Sequence, residues 1–351
     1  MTGLETGVQV HLPTHYTMTV TDLRELAHRV AGEGVDQLWF TDNLGSRSLL
    51  VILAALAPVP IRLGAAVMVQ YFRSPVEAAA ALATVTELTC GRELSVGLGA
   101  GNLRTSRQVE MPRAIAFMRE TARFLRALWS GEEVPIAHYP LLAGYFHLAD
   151  GAAYRLSVTP AASLPLYGGG SGPLGIKAAR ELMDGMLLNG SLFLPSLTLG
   201  RLPRMIEASN PAHPSPAGFR RVADLKIAVH AKRDVARDFA RHSVGQRMLS
   251  VRRSGVGDDE MRALGVEPRD VDAIAAAFAA GAGPDGLAPL VTDAMVDAVF
   301  IAGEPAECRD RLAEVAATAR GLGIHQLMFS EIGPDGASSA SLLLDEVVSC
   351  L

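Results

Sequence analysis

The residues of this chain best suited to chemistry stand directly after short apolar runs. The densest group is Gly168-Gly169-Gly170-Ser171-Gly172-Pro173, which follows Pro165-Leu166-Tyr167 and leads into a helical pattern reaching about Met183. A glycine-rich turn that opens a helix offers free backbone amides and the positive end of the helix dipole, and together these hold a phosphate. A turn chosen for geometry alone would look the same. Gly97-Leu98-Gly99-Ala100-Gly101-Asn102 ends another apolar run; there, close approach of the backbone to a bulky ligand and plain turn geometry account for the glycines equally well. Asp42, just past Gln37-Leu38-Trp39-Phe40, can accept hydrogen bonds from a heterocycle or cap the next helix. His11 and His230 also end apolar runs and could exchange a proton near neutral pH, although an ordinary structural role serves each as well. His28, His138, His147, His213 and His242 fall on helix surfaces or in irregular sequence and are assigned no chemistry.

The elements that must position these residues follow a strand-then-helix rhythm. Gly7 to His11, Asp36 to Phe40, Arg62 to Val69, Glu93 to Leu98, Pro165 to Tyr167, Gly185 to Leu188, Leu225 to His230 and Ile324 to Phe329 read as strands. Helical spacing fills most of the gaps: Val20 to Gly34, with Thr21 or Asp22 as cap; Ser46 to Ala57; Pro75 to Thr89; Pro112 to Trp129; Pro195 to Ala208; Asp234 to Leu249; and Glu304 to Leu322. Pro75 suits a first helical turn, where its missing amide proton costs nothing. The rhythm lapses in two places, about residues 131–160 and 251–290, which read as insertions.

Eight strands alternating with helices is the count that closes a parallel (β/α)8 TIM barrel, in which strand C-terminal ends share the face where catalytic groups collect. A doubly wound open sheet also alternates strands and helices, but its glycine-rich turn belongs directly after the opening strand. Here the glycines follow the fourth and fifth strands instead. The expectation is α/β, a single barrel domain over residues 1–351 carrying the two insertions.

Composition narrows the partners. Hydrophobic residues make up 49% of the chain, yet no apolar run approaches the roughly 20 residues that span a bilayer. Met1-Thr2-Gly3-Leu4-Glu5-Thr6 shows neither a basic nor an apolar leader segment, so a cytoplasmic location is expected. The formal net charge is −5 and the basic residues are dispersed, which argues against nucleic acid. Cys90, Cys308 and Cys350 lie far apart, with no metal-ligand spacing, and read as reduced thiols.

Nearly the whole chain also resembles the bacterial luciferase-like superfamily, and within it the deazaflavin-dependent branch similar to methylenetetrahydromethanopterin reductase. The resemblance is carried by Gly34 to Asp42, by Arg62 to Val67 with Tyr71 to Val76, by Glu87 to Glu93 leading to Gly97 to Asn102, and by Arg119 to Thr121 with Leu128 to Glu132. Gly170 to Pro173 with Asp184-Gly185, Gly303 to Glu307, and Leu327 to Pro334 complete it. It implies a luciferase-like TIM barrel, commonly a homodimer, that binds coenzyme F420 or FMN at the barrel mouth. By the same resemblance the third strand ends in a bulge, often with a non-proline cis peptide, that backs the ring at Ala66 and Val67. The ring's polar edge would meet Asp42 and Asn102 near Gly99, and the phosphate-bearing tail would run along Gly169, Gly170, Ser171, Gly172 and Pro173. Many relatives place a histidine after the aspartate and some a glutamate at the later amide; this chain has Asn43 and Asn102, neither an ordinary acid or base. His11 and Glu331 are therefore the candidates for proton transfer.

The reaction implied is hydride transfer between coenzyme F420 and a small organic substrate. Alternatives are an FMN-dependent monooxygenase and a non-catalytic flavin-binding subunit. Neither insertion carries a cluster of Arg or Lys, or an aromatic ladder, that names the substrate.

Overall fold

The computed structural model describes residues 3–11, 18–101, 108–170, 172–211 and 218–351. Eight strands among them form the barrel: β1 (Glu5–Val10), β2 (Gln37–Phe40), β3 (Arg62–Val69), β4 (Leu94–Gly99), β5 (Leu166–Gly169), β6 (Gly185–Leu188), β7 (Arg220–Val229) and β8 (Gln326–Ser330). They hydrogen-bond in chain order, β6 pairs with β7, and β8 returns to β1, so the sheet closes on itself. The pairs β2–β3, β3–β4, β4–β5, β5–β6, β7–β8 and β8–β1 are parallel. This is the (β/α)8 barrel expected from the strand count, and helices occupy the intervals between strands.

By internal packing the chain divides into two compact units. One comprises Val10–Leu187 with Ser209–Arg220, and the other Met1–Gln9, Leu188–Ala208 and Arg221–Leu351. In the first, β2 buries every residue, which is why it reads as a continuous apolar run and not an alternating one. The Trp39 ring fills the place a side chain would take at Gly64 on β3, and Tyr167 of β5 meets it edge-on at 5.8 Å. The helix Val20–Gly32 is capped by Thr19: its Oγ1 accepts the Asp22 amide at 3.2 Å while Asp22 accepts the Thr19 amide at 2.6 Å. The cap is thus two residues earlier than Thr21, and Asp22 closes the reciprocal box. Pro75 opens the helix Pro75–Leu88 as expected.

The first insertion holds a two-stranded antiparallel ribbon, Val134–Pro135 with Ala153–Tyr154, and a helix Pro140–Phe146. Its aromatics dock on the helix Ala114–Trp129: Tyr139 lies 5.0 Å from Phe124, and Tyr145 lies 5.3 Å from Phe117.

In the second unit, the expected helix from Pro195 to Ala208 is two helices, Phe193–Thr198 and Leu202–Ala208, broken where Gly200 adopts φ +64°. Strand β7 starts five residues earlier than the apolar run suggests, at Arg220, and a short strand Ile301–Gly303 pairs in parallel beside its far end, from Ile227 to Val229. The insertion at 251–290 begins inside the long helix Arg233–Arg253 and continues as Asp258–Ala263, Pro268–Ala279 and Pro284–Leu287. Among the described residues no helix is long and apolar enough to cross a membrane.

Candidate active site

In the first unit the ends of β2 to β5 build a ledge around one side chain. Strand β3 slips register against β4 between Ala65 and Met68, and the Ala66–Val67 peptide in this bulge is cis. A Cβ at Gly99 would lie 2.9 Å from the Val67 side chain, and one at Gly169 only 2.5 Å from it. A Cβ at Gly97 would meet the Ala65 carbonyl and Leu187, each at 2.6 Å. Glycine on β4 and β5 is therefore required by the chain itself, because Val67 projects into the space a larger residue would need. Gly99 and Gly169 thus carry a packing duty that neither turn geometry nor the ligand and phosphate contacts expected of their runs includes.

Asp42 follows β2 and is 6% exposed. Its Oδ2 accepts the Val69 amide at 2.9 Å, and Arg73 donates to both oxygens, Nη1 to Oδ2 at 2.7 Å and Nη2 to Oδ1 at 2.9 Å. This bidentate pair was not among the sequence expectations, which gave Asp42 either a heterocycle or a helix to cap. Asn43 donates from Nδ2 to the Thr41 hydroxyl at 3.1 Å.

The glycine turn after β5 splits into two tasks. Gly168 packs against the helix Pro173–Leu182, since a Cβ there would lie 2.7 Å from that of Ala179. Among the described residues Gly170 has only Gly175 Cα nearby, at 3.7 Å from a would-be Cβ, and Gly172 has nothing within 4 Å. Gly172 is the N-cap and brings no side chain to the first-turn amides, while Pro173 supplies none of its own. The helix thus begins with an exposed, uncapped first turn at Gly172, Pro173 and Leu174, which suits a phosphate, while Gly175 is buried against the Gly170 backbone. Asn102 and Ser171 lie outside the described residues.

The proton-transfer candidates fall in different units. His11 follows β1 and is half-buried in the first. Glu331 follows β8 in the second, at φ +57°, a left-handed conformation rare for a residue with a side chain. It is 7% exposed. Its carboxylate accepts from the Ser243 hydroxyl at 2.6 Å and from the Arg247 guanidinium, with Lys226 Nζ at 3.7 Å. Lys226 also pairs with Asp224 at 3.0 Å, Asp224 accepts the Ser330 hydroxyl, and Arg247 donates to Ser191 at 3.1 Å. Gly190, after β6, must lack a side chain because a Cβ would lie 2.5 Å from the Asp224 carboxylate and 2.6 Å from Lys226 Cε.

The result is a buried network of two cations and two anions. Burial pushes the Lys226 ammonium down to about 8, helped by Arg247 and opposed by Asp224. Burial likewise brings Arg247 down to about 10. His230 accepts the Lys232 amide at Nδ1, 3.0 Å away, which puts its ring proton on Nε2, 3.7 Å from Asp335. Lys226, Arg247 and Asp224 were absent from the sequence expectations. The available signal was Asp224 and Lys226 set two apart beside an apolar run, which places two charges on one strand face.

Comparison with known proteins agrees with this architecture. Residues 3–321 match the family model described as luciferase-like monooxygenase. The chain is 30% identical over 334 residues to a 5,10-methylenetetrahydromethanopterin reductase of Archaeoglobus fulgidus, covering 90% of this chain and 91% of that protein. The solved coenzyme F420-dependent tetrahydromethanopterin reductase of Methanopyrus kandleri superposes with a TM-score of 0.73 at 20% identity, over 99% of each chain. An F420-dependent secondary alcohol dehydrogenase, solved with an F420–acetone adduct, superposes at 0.69 and 16% identity over the full length of both chains. With a closed parallel barrel, a bulged third strand and a family match across nine-tenths of its length, this chain belongs to the luciferase-like monooxygenase family.

Proposed function

We propose that this protein is a coenzyme F420-dependent oxidoreductase that moves a hydride between the deazaflavin and a small organic substrate. The observation that carries the proposal is the junction of two features in one unit. Val67, on the bulge, lies against Gly169, within the glycine turn that leads to the uncapped first turn of the helix at Pro173 and Leu174. A ledge for a flat ring and a seat for an anionic tail are therefore contiguous. Relatives named F420-dependent glucose-6-phosphate dehydrogenase support the choice of ring.

In this proposal Ala66 and Val67 back the ring, Asp42, Gly99 and Asn102 border its polar edge, and Gly169, Gly170, Ser171, Gly172 and Pro173 hold the tail. When bound, the deazaflavin supplies a hydride on a ring carbon and reacts poorly with oxygen. The chain's own contribution is orientation: a ledge fixed by packing and amides fixed by a helix, with no reorganisation needed at the moment of reaction. His11 and Glu331 are the proposed proton-exchanging groups, Glu331 inside a network in which Lys226 holds the labile proton near neutral pH. We place the protein in the cytoplasm as a homodimer of single-domain chains.

The family description favours one other reading, an FMN-dependent monooxygenase. Mixing protein loaded with reduced cofactor into air-saturated buffer separates the two. The F420 proposal expects a long-lived reduced cofactor and no oxygen uptake; reoxidation within seconds with oxygen consumption would replace it by the monooxygenase.

A further inference from the structure

Backbone pairing between β2 and β3 ends at Phe40 opposite Ala65. Beyond that point the β2-facing edge of β3 has no strand to bond, and this is where the bulge begins. On the opposite edge, pairing with β4 stops at Ala65 and resumes at Met68. Ala66 and Val67 thus lie outside the β2–β3 and β3–β4 ladders. Just past them a side chain takes part on the β2 side: the Val69 amide donates to the Asp42 carboxylate at 2.9 Å. Asp42 stands in for the strand that has ended.

A carboxylate whose side chain is 4% exposed can serve this way only if its charge is compensated and its plane fixed. Arg73, four residues past Val69, does both with a two-pronged contact at 2.7 and 2.9 Å. The guanidinium fork matches a carboxylate in a way an ammonium cannot. The same strand exit therefore supplies the amide that needs Asp42 and the cation that holds Asp42 in place.

Resting on the F420 reading above, we propose that Arg73 is a positioning residue for the cofactor ledge, acting through Asp42 and the Val69 amide to fix the bulge that presents Val67. Its role is geometric, so Arg73→Lys fails almost as fully as Arg73→Ala although the charge is kept. Asp42→Asn fails too, because the amide nitrogen cannot accept.

The test uses full-length protein carrying Arg73→Ala, Arg73→Lys or Asp42→Asn, with Arg262→Ala, which removes an exposed ion pair to Asp259, as a control. Two quantities are read: hydrogen exchange of the Val69 amide without cofactor, and the dissociation constant for F420 by fluorescence. All three site variants are expected to speed Val69 exchange and weaken F420 by about tenfold or more, as loss of a charge-assisted contact implies. The control is expected to change neither. Val69 exchange or F420 affinity within twofold of wild type in Arg73→Lys would overturn the proposal. Should Arg73→Ala not fold, Arg73→Lys and Asp42→Asn carry the same comparison. Failure of the cofactor reading looks different: wild type then binds no F420, while FMN affinity and Val69 exchange still report on Arg73.

Discussion

At the scale of single residues, the chain uses missing side chains as actively as present ones. Val67 occupies the volume that side chains at Gly99 and Gly169 would take. A methyl group at Gly169 overpacks this contact, so Gly169→Ala is expected to cost about 1–3 kcal/mol in chemical denaturation. Val67→Ala in the same chain should restore most of that loss. An undiminished cost in the double variant would mean that the glycine answers to its other near neighbour, the Leu98 carbonyl, and not to Val67. The sequence made these glycines visible but not their reason. Runs such as Gly97-Leu98-Gly99 look alike whether the intruding atom belongs to a ligand or to another strand. Arg73 was less legible still, since a lone arginine before Ser74-Pro75 has no spacing that announces a partner thirty-one positions earlier.

At the scale of elements, strands and most helices were readable because most barrel strand residues are buried, so each strand carries a short apolar stretch. Boundaries failed where local chemistry departed from that pattern. The break at Gly200 needed a positive φ, which periodicity does not report, and the early start of β7 includes Arg220, Arg221 and Asp224, which disguise it as a loop. Those charges mark the element's second role. Lys226, 2% exposed on β7, titrates near 8 when folded against 10.5 when unfolded. Between these values the unfolded chain binds more protons, so the contribution of Lys226 to stability rises with pH through that window. Below about pH 8 the charged form carries a net cost of roughly 3 kcal/mol, the attraction of Asp224 already included. Subtracting the pH–stability curve of Lys226→Met from that of wild type should leave a difference that climbs between pH 8 and 10.5. A flat difference would show that the ammonium is not held in a low-dielectric site.

At the scale of the whole molecule, closure of eight parallel strands was foreseeable from the count and from where glycine falls along the chain. The division into two compact units was not, because nothing in the periodicity changes at Val10 or Leu187. Family membership follows from a match over residues 3–321, but a fold shared by reductases, dehydrogenases and monooxygenases leaves the cofactor to chemistry at the rim. The direct measurement is an equilibrium titration of wild type and Gly170→Leu with F420 and with FMN. Among the described residues the nearest neighbour of a would-be Cβ at Gly170 is 3.7 Å away, an ordinary contact, so the substitution should block the tail seat and leave the barrel intact. The expected result is preferential binding of F420 by wild type, lost by at least about tenfold in a variant that melts within a few degrees of wild type. Preference for FMN, or full F420 affinity in the variant, would contradict the account.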